Sequence, residues 1–147
     1  MKLCQPFVAI VATLVLAACG SGPAKRVSPP TASVQELAVQ ADGSWRLLVR
    51  VQNFSNVSMT FDLLEANLEV DGKEIGRISR AIDLDIPGGS ADVFETSLMP
   101  TTTARLEATD FAYQLKGRIT SREPKGDFRF ERASRLSPVP GLGGTWR

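Results

Sequence analysis

Few residues in this chain have side chains that could do covalent, acid–base or metal chemistry, and one of them stands out by position. Cys19 follows Leu16-Ala17-Ala18 and precedes Gly20. Two small residues before a cysteine fit the narrow cleft of a signal peptidase, and the thiol is the atom that would accept a diacylglyceryl group. We therefore expect cleavage between Ala18 and Cys19 and lipidation of Cys19. Cys4, the other cysteine, falls inside the segment removed. No mature disulfide can then form, although an exported protein meets conditions that permit one. Histidine is absent from the whole chain. That excludes a His-based catalytic triad and any His-containing metal site. With Cys19 acylated, thiol nucleophiles and thiolate metal sites go too.

Carboxylates are what remain. Asp83 and Asp85 stand two apart, so a strand would put them on one face. Such a pair could bind Ca²⁺ or run acid–base chemistry. It could equally be the solvent side of a strand whose other side is Ile82, Leu84 and Ile86, with charges that discourage edge-to-edge pairing. Arg46 and Arg50 share a strand face, and Lys116 and Arg118 share another. If the two strands were neighbours, they would form a small basic patch for an acidic partner or phospholipid heads. Phe54 sits among turn-forming residues, where an exposed aromatic could anchor a contact. Arg46, Arg50 and Phe54 are thus the candidate contact surface. Gly88-Gly89 and Gly141-Leu142-Gly143-Gly144 lack the lysine and the strand-to-helix setting of phosphate loops and read as turns or tail.

The elements that must position these residues begin after the export signal. Lys2 precedes the nearly all-apolar run Phe7–Leu16. Ten helical residues reach about 15 Å, half the hydrocarbon thickness that some 20 residues would span. Residues 1–18 are therefore a signal peptide and not a permanent span. The chain carries 17 basic and 16 acidic residues; loss of Lys2 balances them. A neutral domain has no net field to recruit nucleic acid. Membrane attachment falls to the lipid, since several acyl chains together hold a protein firmly. Gly20 stands where an aspartate often marks inner-membrane retention in Gram-negative cells, so we expect the periplasmic face of the outer membrane.

Residues 19–32 are rich in Gly, Ser and Pro and read as the lipidated cysteine and a flexible tether, stiffened by Pro29 and Pro30. From Ser33 onward the period is that of strands. Trp45, Leu47, Val49 and Val51 alternate with mostly polar residues. Met59, Phe61 and Leu63 keep odd positions while Ala66, Leu68 and Val70 keep even ones; one extra residue near Leu63-Leu64, a β-bulge, would switch the phase. Asp42-Gly43 and Asp71-Gly72 are turn signals, and the second lies between two β-like runs as a hairpin does. The run from Pro100 through the threonines to Ala108 could hold a short helix. Phe111, Tyr113, Leu115 and Ile119 mark a further strand, Phe128 and Phe130 the last. Residues 137–147 read as a loose Pro/Gly-rich tail, although Trp146 could dock onto the core. About seven short strands joined by such turns give an all-β antiparallel sandwich over residues 33–136.

The stretch from Trp45 to Arg77, with Asn53 after the alternating strand and Val70-Asp71-Gly72-Lys73-Glu74-Ile75-Gly76-Arg77 closing the hairpin, resembles the type 2 late-embryogenesis-abundant family. This family is also called the water-stress and hypersensitive-response (WHy) domain. Leu115-Lys116-Gly117-Arg118-Ile119 looks like its closing strand. The likeness covers residues 33–136, and Phe54 stands where family members often have proline. It implies an immunoglobulin- or fibronectin III-like sandwich with about one short helix, an association with desiccation and other stress, and no catalytic residues. The expectation is therefore a non-catalytic, lipid-anchored envelope protein without cofactor, metal or small-molecule substrate. Its partners would be the membrane and another envelope protein, and the alternative role is an assembly factor or structural subunit of an envelope complex.

Overall fold

Strict alternation gives each strand one apolar and one polar side, and two such sheets bury their apolar sides against each other. In the computed structural model, which describes residues 22–147, eight strands do this: β1 (Thr31–Val39), β2 (Trp45–Gln52), β3 (Met59–Val70), β4 (Lys73–Ile86), β5 (Ala91–Leu98), β6 (Phe111–Glu123), β7 (Lys125–Leu136) and β8 (Thr145–Trp146). They form two antiparallel four-stranded sheets, β5-β2-β1-β8 and β4-β3-β6-β7. The core lies between them. Leu37, Trp45, Leu47, Val49 and Val51 come from the first sheet; Phe61, Leu64, Leu68, Ile78, Leu115 and Ile119 come from the second. The expected all-β sandwich is what the chain builds.

The phase switch in β3 is real. Phe61 pairs with Leu84 and Leu63 with Ala81 on one side, Phe61 with Ser121 and Leu63 with Thr120 on the other. Against β6 Asp62 is the extra residue, and against β4 it stands opposite two, Ile82 and Asp83; Phe61 and Leu64 both reach the core. Asp71-Gly72 makes the β3–β4 hairpin with positive φ at both residues, 48° and 78°, the pattern of a type I′ turn.

Four expectations need correction. The region of Pro100–Ala108 holds no helix; it is an irregular connection from β5 to β6. Thr101 there donates its backbone N–H (2.8 Å) and its hydroxyl (3.0 Å) to the carbonyl of Ile75, so the hydroxyl serves a neighbouring strand and β-branching gives a helix no help. Secondly, the segment 137–147 is not loose, and the docking open to Trp146 takes place. Trp146 pairs with Leu37 in β8, stacks edge-on against Phe111 at 5.8 Å, and donates its indole N–H to the Thr109 carbonyl at 3.2 Å. Burying an indole outweighs the freedom of a Gly-rich segment. This also raises the strand count to eight. Thirdly, Lys73–Ser79 and Ile82–Ile86 are one strand, β4, because the irregularity at Asp83 (φ 45°) is a bulge and not a turn. Lastly, β1 starts at Thr31, and the segment before it, from Ala24 on, is held to the domain and not free.

Candidate functional site

Ala18 and Cys19 lie outside the described residues, which begin at Gly22. From Ala24 the chain runs beside the loop between β2 and β3, and the residues of that loop explain why. Asn53 ends β2 and is fully buried. Its amide nitrogen donates to the carbonyls of Val57 and Ile86, both at 2.9 Å, while its Oδ1 accepts the Ser55 N–H at 2.9 Å. A buried amide with donor and acceptor both satisfied fixes the loop around it. Gly88 closes the other side; a Cβ there would come within 2.7 Å of the Asn56 carbonyl carbon.

Asn56, next in the loop, pairs with the N-terminal segment much as a strand would. Its Oδ1 accepts from the Arg26 N–H (2.7 Å), its Nδ2 donates to the Ala24 carbonyl (2.8 Å), and its own N–H donates to the Arg26 carbonyl (3.1 Å). Ser28 N–H donates to the Ser55 hydroxyl at 2.8 Å. The last residues before β1 are thus stapled to the 53–56 loop. Phe54 and Val27, immediately beside the bonded Ser55 and Ser28, remain 51% and 45% exposed. In the sequence Ser55 and Asn56 show only as turn-formers between two strands; no pattern there marks their bonds to Ser28, Ala24 and Arg26.

The strands of the two basic pairs are not neighbours, so no shared basic patch assembles, and the side chains lie on solvated faces. Arg46 and Arg50 belong to β2 and point outward from the first sheet, whereas Lys116 and Arg118 point outward from β6 in the second. The two pairs face opposite sides of the sandwich. Arg46 bridges Glu36 (2.8 Å) and Glu95 (3.2 Å), and Glu36, buried on that face, also binds Arg147 at 2.6 Å. Arg50 donates to Gln52 Oε1 at 2.6 Å. On the other sheet Lys116 approaches Glu131 (3.6 Å) and Arg118 approaches Asp127 (3.3 Å). They border a shallow depression of about 510 Å³ with Glu65, Asn67, Arg77 and Arg129.

Asp83 and Asp85 are both exposed on the outward side of β4. Three bulges meet beside them. Asp62 is extra in β3 against β6, Asp83 has positive φ in β4, and Arg122 is skipped in the pairing of β6 with β3. The Arg122 guanidinium spans the gap, reaching Asp62 at 2.8 Å and Asp83 at 3.0 Å. Its hydrogen bond to Asp83, then the Asp62 charge, hold its pKa above the ordinary arginine value. Asp85 accepts the Thr60 hydroxyl at 2.6 Å. Each carboxylate has a partner in the fold, and among the described residues no three His, Cys, Asp or Glu side chains are grouped to hold a metal. Nor is any described helix long and apolar enough to cross a membrane.

Tyr113 links the two sheets. From β6 its hydroxyl accepts the Val34 N–H (3.1 Å) and donates to the Val34 carbonyl (3.3 Å), just before the bulge at Gln35 in β1. Burial pushes the phenol above its ordinary pKa, against the lowering effect of that backbone bond.

No family model and no curated protein matches the chain. Among solved structures, the solution structure of AT1g01470 from Arabidopsis thaliana superposes with a TM-score of 0.51 at 15% identity, covering 91% of this chain and 89% of that one. The X-ray structure of a structural-genomics target follows with TM-score 0.48, 12% identity, and coverage of 80% and 92%. A provisionally assigned late embryogenesis abundant (LEA) protein, At2g46140.1, gives 0.45 at 16% identity, covering 75% and 72%. At such identities the first of these likenesses is one of fold.

Proposed function

We propose that the protein is a non-catalytic envelope lipoprotein: cut before Cys19, acylated there, and presented as a β-sandwich that binds or shields an envelope component under water stress. The anchored reading rests on Leu16-Ala17-Ala18-Cys19-Gly20, and the staple at Asn56 gives it a direction. Ala24 is fixed to one end of the sandwich only five residues after Cys19, so that end is the one an acyl anchor would hold nearest the bilayer. The stress role rests on the sequence resemblance to the type 2 LEA family; shared fold alone is a weak warrant for function. The absence of histidine and the pairing of Asp62, Asp83 and Asp85 within the sheet support a role without catalysis.

Mass spectrometry of the membrane fraction tests the anchor. The expected product begins at a diacylglyceryl-modified Cys19, and Cys19→Ala should release the protein from the membrane. An intact leader or an unmodified thiol would overturn the assignment. Loss of survival after drying in a deletion strain tests the stress role; unchanged survival would remove it. A second reading, an assembly factor or structural subunit, is favoured by the opposite end of the sandwich. There Val39 and Met99 are exposed around a depression of about 400 Å³ with Trp45 in its wall. In-cell crosslinking from Met99 that captures a defined partner would support it.

A further inference from the structure

We infer that the 53–56 loop together with the segment Ala24–Ser28 is a membrane-contacting foot, with Phe54 and Val27 seated in the lipid headgroup layer. The inference rests on acylation of Cys19. Phe54 is not exposed because its loop is slack. Asn53 below it is bonded to Val57 and Ile86, Gly88 is wedged against Asn56, and Asn56 grips Arg26. A loop held on every side presents its aromatic outward by construction. Val27 emerges next to it, because Ser28 and Ser55 are hydrogen-bonded and each apolar residue is the immediate neighbour of one of them.

Reach decides what these two residues can meet. Five residues at about 3.3–3.6 Å each put Ala24 no farther than about 18 Å from Cys19, and the headgroup layer of one leaflet is itself about 5–8 Å deep. So short a leash lets the foot stray no more than about 10–13 Å beyond the headgroup layer, and within that layer an aromatic and a branched aliphatic side chain lose apolar contact with water. Charge adds little. Lys25 and Arg26 are exposed in the same segment, but Asp85 and Asp92 lie at the same end of the sandwich. The contact is therefore apolar first, and it should persist at high salt.

The full chain, purified from membranes and checked by mass for its acyl groups, is reconstituted into phosphatidylethanolamine–phosphatidylglycerol vesicles whose lipids carry bromine high on the acyl chain. Phe54→Trp adds a fluorophore at the foot; Met99→Trp adds one at the far end. We expect the emission added by Phe54→Trp to be quenched at least twofold and that added by Met99→Trp to be unaffected. If acylated protein shows no quenching at position 54, or equal quenching at 54 and 99, the foot is wrong while the anchor stands. If the mass shows no acyl group, the anchor is wrong and the foot falls with it.

Discussion

Tyr113 is a side chain whose removal should be felt out of proportion to its size. Its ring fills the inter-sheet space and its hydroxyl is bonded to both backbone groups of Val34. Tyr113→Phe keeps the ring and strands those groups, which should cost about 1–3 kcal/mol, read by urea denaturation. It should also change the response to alkali. The folded phenol titrates above its unfolded value, so its stabilising contribution is complete below about pH 10 and declines as pH rises further; in the phenylalanine variant that part of the decline should vanish. Gly117 makes a sharper case. A Cβ there would overlap the Glu65 carbonyl oxygen and lie 2.6 Å from the Ala66 Cα, and both are backbone atoms that cannot step aside. Gly117→Ala should therefore lower stability by about 3 kcal/mol or more, measured as a shift in denaturation midpoint. In the sequence this glycine is visible within Leu115–Ile119 but not its reason, because the obstruction comes from β3, some fifty positions away. The same holds for Asn56: no periodicity marks a residue whose partners, Ala24 and Arg26, sit on the far side of β1 and β2. Residue types were enough to exclude histidine chemistry, and they were not enough to pair Arg46 with Glu36.

Among the elements, legibility followed the alternation of apolar residues. β2, β3 and β6 announce themselves because each has a buried side and a wet side, and the β3 bulge could be read because the phase visibly slips by one. β8 could not be read. Two residues have no period, and its hold on β1 depends on Trp146 finding the Phe111 ring and the Thr109 carbonyl. The helix expected at Pro100–Ala108 failed for a related reason: capping residues are a local cue, and here a threonine hydroxyl serves a carbonyl of another strand. The weight carried by so short an element can be measured. Trp146 is only 4% exposed, and Trp146→Ala should cost about 3–5 kcal/mol. A smaller loss, below about 1 kcal/mol in a denaturation curve, would mean that β8 is an ornament on a sandwich complete without it.

For the molecule as a whole, both sheets share a single buried layer, and neither has an apolar face it could satisfy alone. They should unfold together. Trp45 sits at the start of β2 and Trp146 in β8; tryptophan fluorescence and far-ultraviolet circular dichroism of the unaltered chain should report one coincident transition in urea. Two separated midpoints would show the sheets, or β8, parting independently. Under the proposed water-stress role, one border of the second sheet has a further meaning. β7 is the outermost strand there, twelve residues long and paired only on its β6 side. Drying crowds protein molecules until such rims touch, and a bare rim would template stacked aggregates. This rim bears Lys125, Asp127, Arg129, Glu131, Arg132 and Arg135, with cations in excess. A second copy could join it only by stripping hydration from those charges, so crowded molecules can approach one another and still separate when moisture returns.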